Sequence, residues 1–233
     1  EPWFCWASYQ DPHEPFVCPE PWYSQVDTRK MEIPTGYREG EFADRHPVYL
    51  AAYRRELDRW QEGHGIPSVY GSARRTAASE AAMQATLGMV SFIDDRVGRL
   101  LRTLESGGQL DDTIVVFTSD HGEMHGHHGL WGKGVTAYED CQRVPLLIWN
   151  PSRVAQRGTV EALANLVDLP ATLLSLAGLE VPAGMQGKDL SPVLKGEAET
   201  IQDATLIECR PTTSTLYQQT LVTQRHKLVV YRD

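Results

Sequence analysis

A repeating apolar pattern between Ser79 and Gly107 predicts the best-defined helix of the chain. Apolar residues recur there at three- and four-residue steps, as on the buried face of an amphipathic helix, with Ser79 as the cap and Gly107 as the stop. The members of this apolar stripe are Met83, Leu87, Val90, Ile93, Val97, Leu100, Leu101 and Leu104. A continuous apolar run from Thr113 to Phe117 follows and predicts a buried strand, so helix and strand form one αβ unit of a layered sheet.

Other patterns extend this picture along the chain. Val144 to Trp149 predicts a second buried strand, and Leu163 to Leu176 predicts a helix with Pro170 near its start. Near the amino end, Trp3 to Tyr9 alternates and is rich in aromatic residues, as strands are, and Tyr49 to Trp60 predicts a charged helix. Toward the carboxyl end the pattern changes to short strands, which are Thr205 to Cys209, Thr220 to Thr223 and Lys227 to Tyr231.

Candidate chemistry begins where the predicted strand Thr113 to Phe117 ends, at Asp120 and His121. An open α/β sheet builds its ligand site outside the carboxyl ends of its strands. Asp and His offer an oxygen and a nitrogen donor to a metal ion, and Gly122 removes a Cβ that would crowd a turn beside an ion. The simpler alternative is a helix N-cap beside a solvated histidine.

A lysine and a cluster of histidines follow this Asp-His pair. Lys133 lies within loop reach of the pair, and a metal ion with an ammonium group nearby would attract an anion. Four of the eight histidines fall between positions 121 and 128. A second interpretation is therefore a freestanding zinc or nickel site in a non-catalytic binding protein, whereas a carboxylate-rich site would prefer Ca²⁺, Mg²⁺ or Mn²⁺.

Composition narrows the possible partners. A net charge of −9 argues against nucleic acid and against an anionic membrane surface. A protein of this charge that binds an anion must create positive potential locally, with a metal ion and a few cations. The four cysteines form no C-x-x-C pair, so neither a zinc ribbon nor a thioredoxin-like motif is indicated.

Several sequence blocks resemble, in the same order, those of one known family. Asp11 to Phe16 is similar to a P-H-x-P-F block, and Phe92 to Gly98 is similar to an I-D-x-x-V-G helix. Thr113 to Lys133 contains an S-D-H-G turn and a G-L-W-x-K loop. Further similar blocks are Arg143 to Ile148, Leu166 to Leu174 and Met185 to Leu190. The chain thus resembles the sulfatases of the alkaline phosphatase superfamily, with the related phosphonate and phosphate monoester hydrolases.

The resemblance implies a fold, a reaction and a set of site residues. The fold would be the α/β layered sheet of alkaline phosphatase flanked by helices, and the reaction would be metal-dependent hydrolysis of a small-molecule or saccharide sulfate monoester. Asp120 and His121 would bind a divalent metal ion, Ca²⁺ in the first place, with Mg²⁺ or Mn²⁺ as alternatives. His13 would be catalytic, as hydrogen-bond donor or acid toward the ester oxygen, and Lys133 would contact both the bound anion and the leaving oxygen. The substrate-binding residues would be Lys133, His128 and Trp131.

Two segments that are typical of the family are not found in this sequence. Family members open with paired acidic metal ligands and a C-x-P-S-R or S-x-P-S-R segment, whose Cys or Ser becomes the formylglycine nucleophile; neither occurs here. We therefore expect residues 1–196 to be the later part of a catalytic domain truncated at its amino end, and residues 197–233 to begin a small α+β subdomain. We expect such a chain to be inactive alone. A phosphonate or phosphate monoester hydrolase, or a non-catalytic member of the superfamily, would give a similar pattern.

Overall fold

The computed structural model describes residues 1–32, 34, 36–54, 77–155, 158–210 and 216–232, in which helices come before the first strand and three consecutive strands come last. The helices are α1 (Trp22–Gln25), α2 (Pro47–Tyr53), α3 (Ala77–Ser106), α4 (Glu139–Gln142), α5 (Leu169–Leu176) and α6 (Ser191–Leu194). The strands are β1 (Val115–Thr118), β2 (Leu146–Trp149), β3 (Ala204–Cys209), β4 (Tyr217–Thr223) and β5 (Lys227–Arg232). Short 3₁₀ turns occupy Thr28–Lys30, Leu110–Asp112, His127–Gly129 and Leu166–Asp168. Within the described ranges, no helix combines the length and the apolar character that a bilayer crossing requires.

These residues form two compact units. The first comprises Glu1–Gly107 and Glu123–Gly132, and the second comprises Gly108–Gly122 and Lys133–Asp233. The chain therefore leaves the second unit after Gly122 and returns to it at Lys133. The domain boundary predicted between residues 196 and 197 falls inside the second unit and stays a prediction.

Helix α3 of the first unit confirms the strongest sequence pattern but buries a different face. Ser79 lies inside the helix, so its predicted role as the cap is wrong. Three members of the predicted apolar stripe, Leu87, Val90 and Leu100, are 40%, 49% and 46% exposed. The residues that α3 buries instead are mostly small or slender and include Ala82, Ala85, Thr86 and Met89.

Close packing of α1 explains which face of α3 is buried. The Trp22 ring meets the Phe92 ring edge-on, with centroids 4.9 Å apart. A Cβ added at Gly88 would lie only 2.6 Å from Cys18 Sγ and 3.1 Å from the Trp22 carbonyl oxygen. Small residues on this face permit the close approach, so side-chain volume and not hydrophobicity alone decides the orientation of the helix.

Two further predictions concern the amino-terminal half. The strand predicted over Trp3 to Tyr9 is wrong, since the structure assigns no strand there and Trp3, Phe4 and Trp6 are 53%, 78% and 76% exposed. A strand needs a hydrogen-bonded neighbour, and the sheets found in the described residues do not include this segment. The helix predicted over Tyr49 to Trp60 begins at Pro47 as α2; residues 55–60 lie outside the described residues.

The second unit contains an antiparallel pair of strands that places the Asp-His dipeptide. β1 pairs with β2 from Val115 opposite Trp149 to Thr118 opposite Leu146. Both strands begin two residues later than the sequence predicts. Thr118 Oγ1 donates to the Pro145 carbonyl at 2.8 Å and ties the end of β1 to the start of β2. Asp120 therefore follows a well-defined strand end.

A three-stranded antiparallel sheet, in the order β3-β4-β5, closes the second unit and confirms the predicted carboxy-terminal strands. β4 begins at Tyr217, earlier than the predicted Thr220. Gln218 and Thr220 on one face of β4 are fully buried, whereas Leu221 is 42% exposed on the other face. One face of this sheet is thus covered, and the alternation matches that of a half-buried strand.

Asp168 connects the start of α5 to two distant segments. Its buried carboxylate accepts hydrogen bonds from the Asn165 N–H at 2.8 Å, the Lys188 N–H at 2.7 Å and Gln202 Nε2 at 2.8 Å. Helix α5 has Pro170 in its first turn, as predicted. Three donors satisfy a carboxylate that is only 1% exposed.

Candidate active site

Asp120 and His121 follow β1 after Ser119, and a carboxylate oxygen of Asp120 lies beside a ring nitrogen of His121. The Nδ1–H of His121 donates to the Gly122 carbonyl at 2.9 Å, so the lone pair of the neutral ring is on Nε2. Nε2 lies 3.6 Å from Asp120 Oδ2, while Asp120 Oδ1 accepts from the His121 N–H at 3.0 Å. One carboxylate oxygen and one imidazole nitrogen therefore stand where two ligands of one cation would stand.

The chemistry of these two donors fits a hard or borderline divalent cation. The Asp120 side chain is 85% exposed and the His121 side chain 37% exposed, so both are accessible to an ion. Within the described residues, no group of three or more His, Cys, Asp or Glu side chains is arranged to hold a metal ion. An oxygen and a nitrogen donor suit Ca²⁺, Mg²⁺ or Mn²⁺ as part of a larger ligand set.

Gly122 is required for a reason that differs from the one predicted. A Cβ at this position would lie 1.9 Å from the Asp140 carbonyl oxygen and 3.2 Å from Cys141 Cα. The Gly122 N–H donates to the Cys141 carbonyl at 2.9 Å. The crowding therefore comes from the backbone of the α4 segment, which packs directly on the turn that follows His121.

Lys133 belongs to the same unit as Asp120 and His121. It is exposed, and it lies between Gly132 and Gly134, whose φ angles are +74° and +139°. A side chain at either glycine would be strained in that conformation. The two glycines thus define the path of the backbone on both sides of the lysine.

The histidine-rich loop belongs to the first unit and is closed by its own hydrogen bonds. The Met124 N–H donates to the Gly132 carbonyl at 3.0 Å, and the Gly126 N–H donates to the Leu130 carbonyl at 2.8 Å. The Glu123 carboxylate accepts from the Gly132 N–H. These bonds give the loop a defined shape on which His125, His127, His128 and Trp131 are carried.

His128 is held by a carboxylate that the sequence did not indicate. Its Nδ1–H donates to Glu41, whose side chain is only 17% exposed. Glu41 also accepts from the Arg38 N–H at 3.0 Å. Burial opposes ionisation of Glu41, but the hydrogen bonds from Arg38 and His128 outweigh it, so the pKa of Glu41 is lowered.

The backbone at His128 is unusual and explains the neighbouring glycine. His128 has φ +56°, in the left-handed region, and Gly129 follows with φ +73°. A Cβ at Gly129 would lie 2.8 Å from the Tyr53 ring and 2.9 Å from Tyr37 Cβ. The stacked rings of Tyr37 and Tyr53, with centroids 4.4 Å apart, therefore press on the loop directly beside His128.

His125 and Trp131 form part of an aromatic cluster. The His125 ring lies 5.6 Å from the Trp131 ring, edge-on, and 5.4 Å from the Phe16 ring. Its Nδ1 is buried and has no hydrogen-bond partner among the described residues. Burial, together with the charge of His127, lowers the pKa of His125 to about 4. The ring is therefore neutral at physiological pH and packs as an aromatic side chain.

His13 lies in the first unit, on an exposed loop. Its Nδ1–H donates to the Glu14 carbonyl at 2.7 Å, and its backbone N–H donates to the Gln10 carbonyl at 3.0 Å. The ring is thus oriented with Nε2 on the far side from Glu14. Of the predicted site residues, Asp120 and His121 are in direct contact, Lys133 shares their unit, and the first unit carries His13, His128 and Trp131.

Comparison with known proteins identifies the family. The profile of the sulfatase family matches residues 1–179. The chain belongs to the sulfatase family. A profile of the carboxy-terminal region of N-sulphoglucosamine sulphohydrolase matches residues 126–233.

Individual sulfatases and related hydrolases are similar to this chain over much of its length. N-acetylglucosamine-6-O-sulfatase of Bacteroides thetaiotaomicron is 38% identical over 153 residues, which are 66% of this chain and 26% of that protein. The solved phosphonate monoester hydrolase of Agrobacterium radiobacter superposes with a TM-score of 0.76 at 27% identity, over 100% of this chain and 50% of its own. The solved protein BT4656, in complex with its substrate D-glucosamine-2-N,6-O-disulfate, superposes with a TM-score of 0.60 at 28% identity, over 89% of this chain and 45% of its own.

These matches settle the fold class of this chain. They confirm the predicted alkaline phosphatase-like α/β fold. The chain spans 26% of the length of the sequence relative and at most 50% of the solved relatives described above.

Proposed function

We propose that the protein containing this chain hydrolyses a sulfate monoester of a saccharide or small molecule. The observation that carries the proposal is the pair of donor atoms, Asp120 Oδ2 and His121 Nε2, 3.6 Å apart after β1 in a sulfatase-family chain. The name of the Bacteroides relative describes a sulfatase of N-acetylglucosamine, and the substrate bound to BT4656 is a sulfated glucosamine. Both are sulfated amino sugars. A sulfated saccharide is therefore the substrate class that the similarities favour.

Asp120 and His121 would hold a divalent cation in this proposal, with Ca²⁺ placed first from the family resemblance and Mg²⁺ and Mn²⁺ as alternatives that the carboxylate donor also suits. Such a cation supplies positive charge to the non-bridging oxygens of the ester. The bond from His121 Nδ1–H to the Gly122 carbonyl keeps Nε2 available in the tautomer that binds metals. Sulfatases generally use a formylglycine nucleophile, which we place in another part of the same protein.

The remaining roles belong to side chains of this chain. The Lys133 ammonium would contact a sulfate oxygen and the leaving oxygen, and so stabilise the charge that develops in the transition state. With its Nδ1–H donated to the Glu14 carbonyl, the His13 ring in its imidazolium form would give its Nε2 proton to the leaving oxygen, which departs as an alcohol while the ring becomes neutral. The His128 ring and the Trp131 ring would contact the saccharide, and the bond to Glu41 would fix the orientation of His128.

A phosphonate monoester hydrolase is the second candidate. The specific observation in its favour is the superposition on the Agrobacterium enzyme, with a TM-score of 0.76 over the whole chain. Sulfate and phosphonate esters present similar tetrahedral oxyanions, so the same metal donors and lysine would serve either substrate.

The test is an activity comparison on the protein expressed from its complete reading frame. We expect release of sulfate from glucosamine 6-sulfate or p-nitrophenyl sulfate to exceed hydrolysis of p-nitrophenyl phenylphosphonate. The reverse preference would establish the second candidate, and activity on neither class would contradict the proposal.

Variants of that protein test the named residues. Lys133→Ala should lower kcat/KM by ~10² or more, as loss of one transition-state contact does, while Lys195→Ala, which removes an exposed lysine of the same unit, should be close to wild type. Asp120→Asn should reduce the metal content measured by elemental analysis. Unchanged metal content would remove Asp120 from the ligand set, and wild-type activity of Lys133→Ala would remove that lysine from the site.

A further inference from the structure

Two side chains of β5 bind the backbone of the segment that follows Lys133. The Tyr231 hydroxyl donates to the Val135 carbonyl at 2.7 Å. Lys227 Nζ donates to the Ala137 carbonyl at 2.9 Å and also contacts the Glu139 carboxylate and the Gln142 side-chain oxygen. The two carbonyls that they bind lie two and four positions after Lys133. All of these residues belong to the second unit.

The backbone carbonyl groups of residues 133–138 need hydrogen-bond donors from other elements, because this segment forms no helix or strand. Residues 133–138 form neither, yet Val135, Thr136 and Ala137 are only 7%, 6% and 6% exposed. Buried carbonyl groups need hydrogen-bond donors. Tyr231 and Lys227 provide donors for two of them, so the position of this backbone is coupled to the position of β5.

The geometry of the sheet places the side chains of Lys227 and Tyr231 on the same face of β5. Lys227 and Tyr231 are four residues apart on one strand and therefore point from the same face. That face is the covered one, since Tyr231 is opposite the fully buried Gln218. Gln142 adds a further contact to this face, through Nε2 to Thr220 Oγ1 at 3.4 Å. The carboxy-terminal sheet is thus attached to the 135–142 segment at several points.

We propose that Lys227 and Tyr231 are positioning residues that hold Lys133 in the position required for catalysis. The inference rests on the proposed function, because it requires Lys133 to act on the substrate. Neither residue needs to touch the substrate. Displacements of about 1 Å in a catalytic group can lower rates strongly, so loosening the 135–137 backbone should reduce turnover.

The first experiment compares matched tyrosine variants in the protein expressed from its complete reading frame. Tyr231→Phe removes one hydroxyl and should lower kcat/KM about 2- to 10-fold, the range expected for one net hydrogen bond. Tyr217→Phe is the control, because its hydroxyl donates to Glu208 on the same sheet and not to the lysine segment. A Tyr231→Phe enzyme with the activity of the Tyr217→Phe control would overturn the inference.

Lysine variants provide a second comparison. Lys227→Met removes the contacts to Ala137, Glu139 and Gln142 together and should lower kcat/KM by about 10-fold or more. Lys227→Arg, which keeps a cationic donor, should recover part of the loss, and Lys195→Met is the control. If Lys227→Met fails to fold, as judged by circular dichroism, the tyrosine comparison alone decides the outcome.

A double-mutant cycle with Lys133 separates positioning from general stability. If Tyr231 acts through Lys133, Tyr231→Phe should leave the residual activity of Lys133→Ala unchanged, because the group that it positions is absent. An undiminished effect of Tyr231→Phe in that background would overturn the inference while leaving the role of Lys133 intact. Wild-type activity of Lys133→Ala itself would instead refute both the role of Lys133 and its positioning.

Discussion

The imidazole of His128 donates through Nδ1 to the carboxylate of Glu41, which lies 87 positions away in the sequence. This bond fixes the tautomer of the ring and directs Nε2 away from the carboxylate. The motif around His128 indicated a substrate-binding histidine, but nothing near Glu41 indicated its partner, since that contact exists only after both loops are folded. The motif that contains His128 could thus be found in the sequence, whereas the hydrogen bond between His128 and Glu41 could not.

Replacing Glu41 should release the ring of His128. In Glu41→Gln the charged acceptor is lost, so we expect a mixture of Nδ1–H and Nε2–H tautomers and a loss of about 1 kcal/mol in the free energy of unfolding. Nitrogen-15 NMR of the histidine ring measures the tautomer ratio directly. Glu39→Gln, two positions away and exposed, is the control. An unchanged tautomer ratio in Glu41→Gln would show that the carboxylate does not orient the ring.

His125 should make the stability of the protein depend on pH. Its pKa is about 4 in the folded state, lowered by burial and by the charge of His127, against 6.5 for the ordinary group. The unfolded chain therefore binds more protons between these values, and stability falls as pH decreases from about 6.5 to about 4. The full difference corresponds to about 3 kcal/mol.

Urea unfolding at pH 7 and at pH 4.5 measures this dependence. His125→Leu should lose less stability between the two pH values than the wild type does. His127→Gln, which removes an exposed neighbour and keeps the buried ring, should retain most of the dependence. An identical pH dependence in His125→Leu and the wild type would contradict the assignment.

At the scale of elements, periodicity predicted which segments are helices and strands better than it predicted what they pack against. The stripe through Leu87, Val90 and Leu100 is a genuine helical repeat, yet α1 packs on the face with small residues because Gly88 allows its backbone to come close. Trp3 to Tyr9 has the composition of a strand, but composition does not supply a neighbouring strand. Both errors concern tertiary partners, which a local pattern does not contain.

The shape of the turn after β1 depends on the absence of a Cβ atom at Gly122. Gly122→Ala would place a Cβ 1.9 Å from the Asp140 carbonyl oxygen, so either the turn or the α4 segment must move. We expect a loss of at least about 2 kcal/mol in the free energy of unfolding, as for severe overpacking, and weaker metal binding by Asp120 and His121.

Urea unfolding and metal content measured by elemental analysis check this prediction. Gly184→Ala is the matched control, since a Cβ there meets no atom within 4 Å. If Gly122→Ala were as stable as Gly184→Ala and kept its metal, the turn would be more adaptable than the packing indicates.

At the scale of the whole molecule, the family and the fold class could be predicted from ordered motifs, whereas the division into units could not. The loop Glu123–Gly132 belongs to the first unit because His125 packs on Phe16 and Gly129 packs on Tyr37 and Tyr53. Those contacts join residues far apart in the sequence. The predicted boundary between residues 196 and 197 rested on a change of pattern and stays a prediction.

The 233 residues expressed alone should self-associate. The chain spans half the length of the Agrobacterium enzyme, and it exposes large apolar side chains in both units, with Val90 49% and Leu147 58% exposed. Apolar surface of this kind favours association in water. Light scattering on the purified chain, compared with the protein from the complete reading frame, measures the difference. A monodisperse monomer would contradict the expectation.

The buried carboxylate of Asp168 has a consequence for motion. Because one side chain accepts from Asn165, Lys188 and Gln202, none of these three segments can open without breaking bonds at the same point. The backbone amide hydrogens of Asn165 and Lys188 should therefore exchange with deuterated water at closely similar rates, as members of one opening unit. Replacing that carboxylate by an amide should accelerate both exchanges together.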